Sequence, residues 1–402
     1  MSLLVFNAGS TSLKFAVFDT AGAVPAAVAR GGIAPLNKDA VLRLQLGAGQ
    51  TRQALPVDGM QAAVRECLAL LQDTPLRQSP ATAVAHRIVC GEPGMGDIAR
   101  VDEDLLKSIQ KLAVLAPLHQ KAEIDVVRAV GATLGGEVPA YAAFDTGFFR
   151  DLPAVASTYA LPAELRERFG IRRSGFHGFA HRSMLDGYCA AAGVAAGDTR
   201  VISFQLGGGC SAAAVLAGRP LDTSMGYTPL EGLVMDTRSG DLDAGIVFEC
   251  LRHGIPAHEL YETLERRSGL LGLSGIAADL RTLQAEAGRG NAAARLAVDV
   301  YCHRARKYLG AYLAVLGGAD AVLFGGGVGE HQPEIRARIC AGLQWCGLEL
   351  DAGANAQAAS LTRRISTAQS RIAVYVVPVD EEAVIAREVL RFSRAADDPV
   401  RE

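Results

Sequence analysis

The chain has no C-x-x-C pair, no G-x-x-x-x-G-K-[ST] loop, no apolar run of 18 residues, and no basic tail or long run of like charge. Each absence removes a class of function. Eight cysteines, at positions 67, 90, 189, 210, 250, 302, 340 and 346, lack the close pairing of a zinc ribbon or a redox dithiol. They read as reduced, mostly buried thiols. Without a long apolar stretch no segment is a candidate membrane helix. The run Leu3-Leu4-Val5-Phe6 stops at Asn7 with no basic region before it, so a signal peptide is not expected and a cytoplasmic location is the default. A net charge of −3 leaves no clustered basic face for nucleic-acid phosphates. Anion binding therefore has to come from a few placed Arg and Lys side chains.

What is present is an ordinary globular composition, half apolar and 21% charged, over 402 residues. That length exceeds what one hydrophobic core usually serves and predicts two domains. Strand and helix patterns alternate, which predicts an α/β fold. Leu3–Phe6 and Phe15–Phe18 read as strands around a small polar turn. Arg200–Leu206 and Ser211–Leu216 read as strands around Gly207-Gly208-Gly209. This strand–turn–strand pattern, met in both halves, is a weak internal repeat. Ala83–Val89, Val138–Phe144, Ala321–Phe324 and Ile372–Val377 read as further strands. Asp102–Val114, Ala292–Leu316, Pro333–Leu343 and Glu381–Arg391 read as helices. No low-complexity linker separates the halves, and Gly147–Pro153 is the expected boundary.

Several stretches carry possible chemistry. In Asn7-Ala-Gly-Ser-Thr-Ser-Leu-Lys14, small residues let N–H groups and hydroxyls approach phosphate oxygens, and Lys14 adds charge; an ordinary hairpin turn reads the same way. Gly325-Gly-Gly-Val-Gly-Glu330-His331 follows a strand and precedes a helix, which suits an anion or nucleotide at a helix N-terminus. Gly207–Ala212 fits G-x-G-x-x-A, but Gly218 and Pro220 follow too soon for a full crossover helix, so a NAD enzyme is a poor alternative. Asp222–Asp241 lacks periodicity and is rich in Thr, Ser and Gly, as ordered functional loops are. Its Arg238 can clamp a carboxylate or phosphate. His177 and His181 in Phe-His-Gly-Phe-Ala-His have metal-like spacing, but a single His in a phosphate site suits them better. Arg87 and Asp145 stand at strand ends, where a solvated role is usual yet α/β sites also gather.

Taken together, N-A-G-S-T-S-L-K, A-H-R-I-V, F-D-T-G-F, G-I-R-R-S-G-F-H-G, D-T-S-M-G-Y-T-P-L-E-G-L, T-R-S-G-D-L-D, G-G-V-G-E and V-P-V-D-E-E resemble the acetate kinase family, in that family's order and over nearly the whole chain. The resemblance implies a duplicated two-domain actin-like (ribonuclease H-like) fold. Residues 1–149 with the C-terminal helix 382–402 would form one domain, and 150–381 the nucleotide-binding one. It implies a homodimer without nucleic-acid or membrane partners. The implied activity is reversible phosphoryl transfer between ATP and acetate, with propionate or butyrate, or another donor, as alternatives.

Residue by residue, the resemblance implies that Asn7 and Glu381 hold Mg2+ (or Mn2+), and that Lys14, Ser10 and Ser12 form the phosphate loop. Arg87 binds the acid, Asp145 is the active-site acid, and His177 and Arg238 stabilise the transition state. Val89, Leu118 and Pro229 form the acyl pocket. Three stretches bind ATP or ADP: Gln205, Leu206, Gly207, Gly208 and Gly209; Asp279, Leu280 and Arg281; and Gly327, Val328, Gly329, Glu330 and His331. The shared metal site requires the C-terminal helix to return to Asn7, and the two domains to close over the substrates. Several positions depart from the family pattern. Gln205 and Gly208 replace a His and an Asn, His331 replaces an Asn, and Asp236 replaces a Gly. Asp236 is expected to pair with Arg238 or Lys14 and to weaken or alter ATP use.

Overall fold

The computed structural model describes residues 2–9, 12–72, 81–92, 95–112, 117–357 and 361–397. The chain divides into two compact units, Met1–Arg150 with Asp380–Glu402, and Asp151–Val379. The bounds expected from sequence, 149/150 and 381/382, lie close to these but put Glu381 on the other side.

The first unit carries β1 (Ser2–Ala8), β2 (Leu13–Asp19), β3 (Ala26–Ala34), β4 (Val41–Leu46), β5 (Gly49–Ala54), β6 (Ala81–Ile88), β7 (Ile98–Arg100) and β8 (Ala140–Phe144). They form one sheet in the order β5-β4-β3-β2-β1-β6-β8-β7. Every position of β1 is buried, because the sheet is covered on both faces there. On one face Leu13, Phe15, Ile33, Leu42 and Leu44 pack with Val64 and Leu68 of helix Gly59–Gln72. Helix Glu381–Asp397 packs on β1, β2, β6, β7 and β8. It is longer than the periodicity of Glu381–Arg391 suggests.

The second unit carries β9 (Arg200–Leu206), β10 (Cys210–Leu216), β11 (Arg219–Thr223), β12 (Ala321–Gly325), β13 (Arg363–Arg364) and β14 (Ala373–Val376), in the order β11-β10-β9-β12-β14-β13. In it β9 stands between antiparallel β10 and parallel β12. In the first unit β1 stands likewise between antiparallel β2 and parallel β6. The runs β3-β2-β1-β6-β8 and β11-β10-β9-β12-β14 share one order and one pattern of directions. This is the ribonuclease H-like arrangement, present twice, so the fold is a duplicated actin-like α/β fold.

One local expectation is corrected. The glycines after β12 do not form a turn leading to a later helix; a six-residue helix, Gly326–His331, starts among them, and Pro333–Cys340 follows as a second helix. Gly326 has φ 76°, and a Cβ there would lie 2.6 Å from the Leu206 carbonyl oxygen, so only glycine fits. All eight cysteines are free, and among the described residues no helix is long and apolar enough to cross a membrane.

Candidate active site

In the first unit, the ends of β1, β6 and β8 and the start of the last helix bring their polar residues together. Asn7 and Lys14 are directly paired across β1 and β2. The Asn7 Nδ2 donates to Glu381 Oε2 at 2.8 Å and to Glu382 Oε1 at 3.0 Å. Its Oδ1 accepts from Arg87 Nη1 at 3.3 Å. Arg87 also donates through Nη2 to Asp145 at 2.7 Å, and Asp145 is 1% exposed. Arg87 and Asp145 therefore form a buried ion pair, not the solvated strand ends that an isolated Arg or Asp suggests. Burial alone would lower the Arg87 pKa, but Asp145 and Glu381 reverse this and raise it. Among the described residues the Arg87 Nε has no hydrogen-bond partner, and it lies 4.0 Å from Glu381 Oε2.

Val89 is buried just beyond β6, and its N–H donates to both oxygens of the Glu123 carboxylate at 3.1 and 3.2 Å. Burial, with the Asp145 charge, pushes the Glu123 carboxyl up to about 8, against the opposing pull of Arg87. Ser12 accepts through its carbonyl from the Gly9 N–H at 2.8 Å, closing the β1–β2 turn. Ser10 and the Leu118 side chain lie outside the described residues.

In the second unit the glycine turn after β9 is the meeting point. His177 caps helix Gly178–Ala192 with φ 60°, a left-handed backbone that a non-glycine residue rarely adopts and that recurs at functional sites. Its Nδ1 lies 3.0 Å from Ser211 Oγ. His181 spans Ser203 (2.7 Å) and Ser211 (2.8 Å), and this buries the ring as a structural support for His177 and not as a second ligand. A Cβ on Gly209 would stand 3.3 Å from His177 Nε2 and 3.6 Å from Arg238 Nη1, so both side chains converge over this glycine.

Arg238 is anchored by Glu265, to which its Nε donates at 3.0 Å. Its Nη1 makes a long contact of 3.4 Å to the Pro229 carbonyl. The expected pairing of Asp236 with Arg238 is thus corrected, because Glu265 occupies that place. The Asp236 N–H donates to the Gly208 carbonyl at 3.2 Å, and its Oδ2 lies 3.3 Å from where a Gly208 Cβ would be. Among the described residues its carboxylate has no ion pair. Burial, and then the charge of Asp279, push it up to about 6. Asp279 caps helix Leu280–Gly288, accepting from the Thr282 N–H, and that bond holds its carboxyl low. Leu280 is buried at the helix start while Arg281 points outward.

The remaining stretch is less available to a ligand than its sequence suggests. Glu330 Oε1 accepts from the Gly326 and Val379 N–H groups at 3.0 and 3.2 Å, a main-chain clamp. Gly327 is open and His331 exposed, whereas Gly329 packs on Phe324. Gln205 lies over Gly326, and its buried Oε1 lacks a hydrogen-bond partner. Glu265, Glu123, Glu382 and Ser211 were not singled out from sequence. Only Glu382, beside Glu381, had a signal there.

Residues 2–387 match the model of the acetokinase family. The acetate kinase of Solibacter usitatus is 40% identical over 405 residues, covering 97% of this chain and 98% of the relative. The crystal structure of Porphyromonas gingivalis acetate kinase superposes with a TM-score of 0.86 at 34% identity, covering 98% of this chain and 99% of that one. A propionate kinase from Francisella tularensis gives a TM-score of 0.86 at 30% identity, covering 96% and 98%. Likeness of this extent, in sequence and in backbone, places the chain in the acetokinase family.

Proposed function

We propose that the chain is an acetate kinase, moving a phosphoryl group reversibly between ATP and acetate to give ADP and acetyl phosphate. One observation carries the acid's place in this reading. Arg87 is locked by Asp145 and Asn7, yet keeps a buried Nε without a hydrogen-bond partner. A buried, permanently charged donor with an unused N–H suits a carboxylate. The buried Val89 supports a small acyl group beside it.

The reaction balances without a proton. A carboxylate oxygen attacks the γ-phosphorus, the bond to the β–γ bridging oxygen breaks, and ADP leaves with that electron pair. Such transfer asks the protein for position and charge. Arg238, His177 and Lys14 offset charge on the equatorial oxygens. Gln205–Gly209, Asp279–Arg281 and Gly327–His331 receive the nucleotide, and Asp145 orients Arg87. Magnesium would be held by Asn7 and Glu381, and would neutralise phosphate charge. Among the described residues no three His, Cys, Asp or Glu side chains form a metal cluster. The Asn7 amide stands against two carboxylates, and turned over it would set its oxygen beside them, which fits an ion that takes one or two protein oxygens and completes its shell with water and phosphate.

The reading includes a cytoplasmic homodimer. Helix Ala244–Arg252 supports a second copy, since it buries none of its residues although Ile246, Phe248 and Leu251 are apolar. Sedimentation of the purified chain tests this. A coupled assay of acetate, propionate and butyrate against ATP, GTP and pyrophosphate tests the activity. Acetate with ATP is expected to be the best pair, and no acyl phosphate from any pair would overturn the assignment.

A further inference from the structure

The β2–β5 part of the first sheet carries an unexplained row of cations. In the antiparallel register Lys14 is opposite Gly32, Gly32 opposite Arg43, and Arg43 opposite Arg52. Directly paired residues share a face, so Lys14, Arg43 and Arg52 project from the same side. Leu13, Phe15, Leu42 and Leu44 occupy the other side, in the core. Helix Glu381–Asp397 packs on β1 and β2 and reaches β3 at Glu382, whose Oε2 lies 4.0 Å from Arg30 Nη1.

The next row on the same face continues the pattern. Arg30 is opposite Gln45, and Gln45 opposite Gln50. Arg30 is already engaged by Asp380, at 2.8 Å through Nη1. The Lys14, Arg43 and Arg52 side chains have no hydrogen bond or ion pair among the described residues. These residues line a cavity of about 750 Å³, whose one lining carboxylate is Glu382. Small-molecule sites have volumes of this order.

Like charges directly opposite one another in a sheet are destabilising. The Arg43–Arg52 pair has no carboxylate on either neighbouring strand to relieve it: Gly32 stands beyond Arg43, and β5 is the sheet edge. With strands roughly 4.8 Å apart, Lys14 to Arg52 spans about 14 Å. A single small anion meets one member of such a row. A linear chain of phosphates meets all of them, and the guanidinium forks of Arg43 and Arg52 each take two of its oxygens.

We propose that the β2–β5 face is a binding groove for a linear oligophosphate, running from Lys14 past Arg43 to Arg52. Gln45 and Gln50 flank it as amide donors. The proposal goes beyond phosphoryl transfer to acetate and does not depend on it, because Arg43 and Arg52 have no part in that chemistry. The phosphate chain has two sources, inorganic tripolyphosphate or the tail of a nucleoside triphosphate, and the test separates them.

Calorimetry on the full chain would measure tripolyphosphate, orthophosphate and ATP binding in wild type and in the double variant Arg43→Gln/Arg52→Gln. Both positions are exposed, and the variant removes a like-charge pair, so the temperature of thermal unfolding should not fall. The expected result is at least about tenfold weaker tripolyphosphate binding in the variant, as losing charge-assisted hydrogen bonds implies. Orthophosphate should bind far more weakly than tripolyphosphate in wild type. The kcat, and the KM for ATP and for acetate, should not move if the source is inorganic. A tenfold loss shared by ATP binding would instead identify the nucleotide tail as occupant. Equal tripolyphosphate binding in variant and wild type overturns the groove.

Discussion

Glu265 sets the direction of Arg238: its carboxylate takes the guanidinium by Nε at 3.0 Å, and it is itself 5% exposed. Nη2 keeps no hydrogen bond among the described residues, and Nη1, which stands over Gly209 beside His177, has only long contacts, to the Pro229 carbonyl at 3.4 Å and to Met235 Sδ at 3.6 Å. Glu265→Ala should lower kcat by roughly 10- to 100-fold through misplacement of Arg238, with a smaller effect on either KM. Glu265→Gln should recover part of the loss. A kcat equal to wild type in the alanine variant removes Glu265 from the account.

Gly209 has an ordinary backbone, so its role is space. An added methyl would sit 3.2 Å from His177 Cε1, tighter than a relaxed contact. Gly209→Ala should cut kcat about tenfold or more by displacing the ring, while thermal stability stays near wild type. Steady-state kinetics beside a melting curve would separate the two effects, and unchanged kinetics would mean His177 does not need its present place.

Asp236 makes donor use depend on pH. Its carboxyl is raised to about 6, so it is charged at neutral pH and loses that charge as pH falls through this value. A neutral carboxyl no longer repels a polyphosphate. The KM for ATP should fall as pH drops from 7 to 5.5 in wild type and should lack this step in Asp236→Asn. Parallel profiles for both proteins would show that Asp236 does not face the donor.

His86 is 2% exposed and stacked on Phe6 with centroids 5.8 Å apart, and among the described residues both its ring nitrogens lack hydrogen-bond partners. Burial lowers its pKa to about 3. The unfolded chain binds a proton near pH 6.5 that the folded chain refuses, so this contribution to stability is intact above 6.5 and lost as pH falls toward 3. The slope is up to about 1.4 kcal/mol per pH unit. His86→Leu should flatten the acid limb by that amount in urea titrations and cost little at pH 7, since no bond is broken. An acid limb as steep as wild type would contradict the assignment.

Legibility followed sequence separation. The hairpins at Leu3–Phe18 and Arg200–Leu216 could be read because apolar runs flank small polar turns within a few residues. The 25 residues of Ala292–Leu316 form a helix with the bounds its spacing predicts. The strands β3–β5 were not read: the edge strand Gly49–Ala54 is polar and fully exposed, without an apolar signal. Glu265 and Glu123 stayed hidden because each partner stands far along the chain, 27 residues away at Arg238 and 34 at Val89. The same reason led to Asp236 being paired with Arg238, its neighbour in sequence, when a helix from further on supplies the carboxylate. Arg87 and Asp145 become partners only because β6 and β8 lie side by side.

The last helix also bears on how the chain is made. Residues 380–402 belong to the first unit, whereas 151–379 are continuous. A ribosome delivers the first unit's sheet before the second unit, but the helix that covers it only after the whole second unit has emerged. The second unit can therefore close during synthesis, while β1 waits with one face uncovered and Asn7 lacks both its carboxylates. A message truncated after Val379 would yield a chain whose second unit is complete and whose first unit is not. For this protein, translation of the segment that follows the second unit decides whether Asn7 ever reaches its working structure.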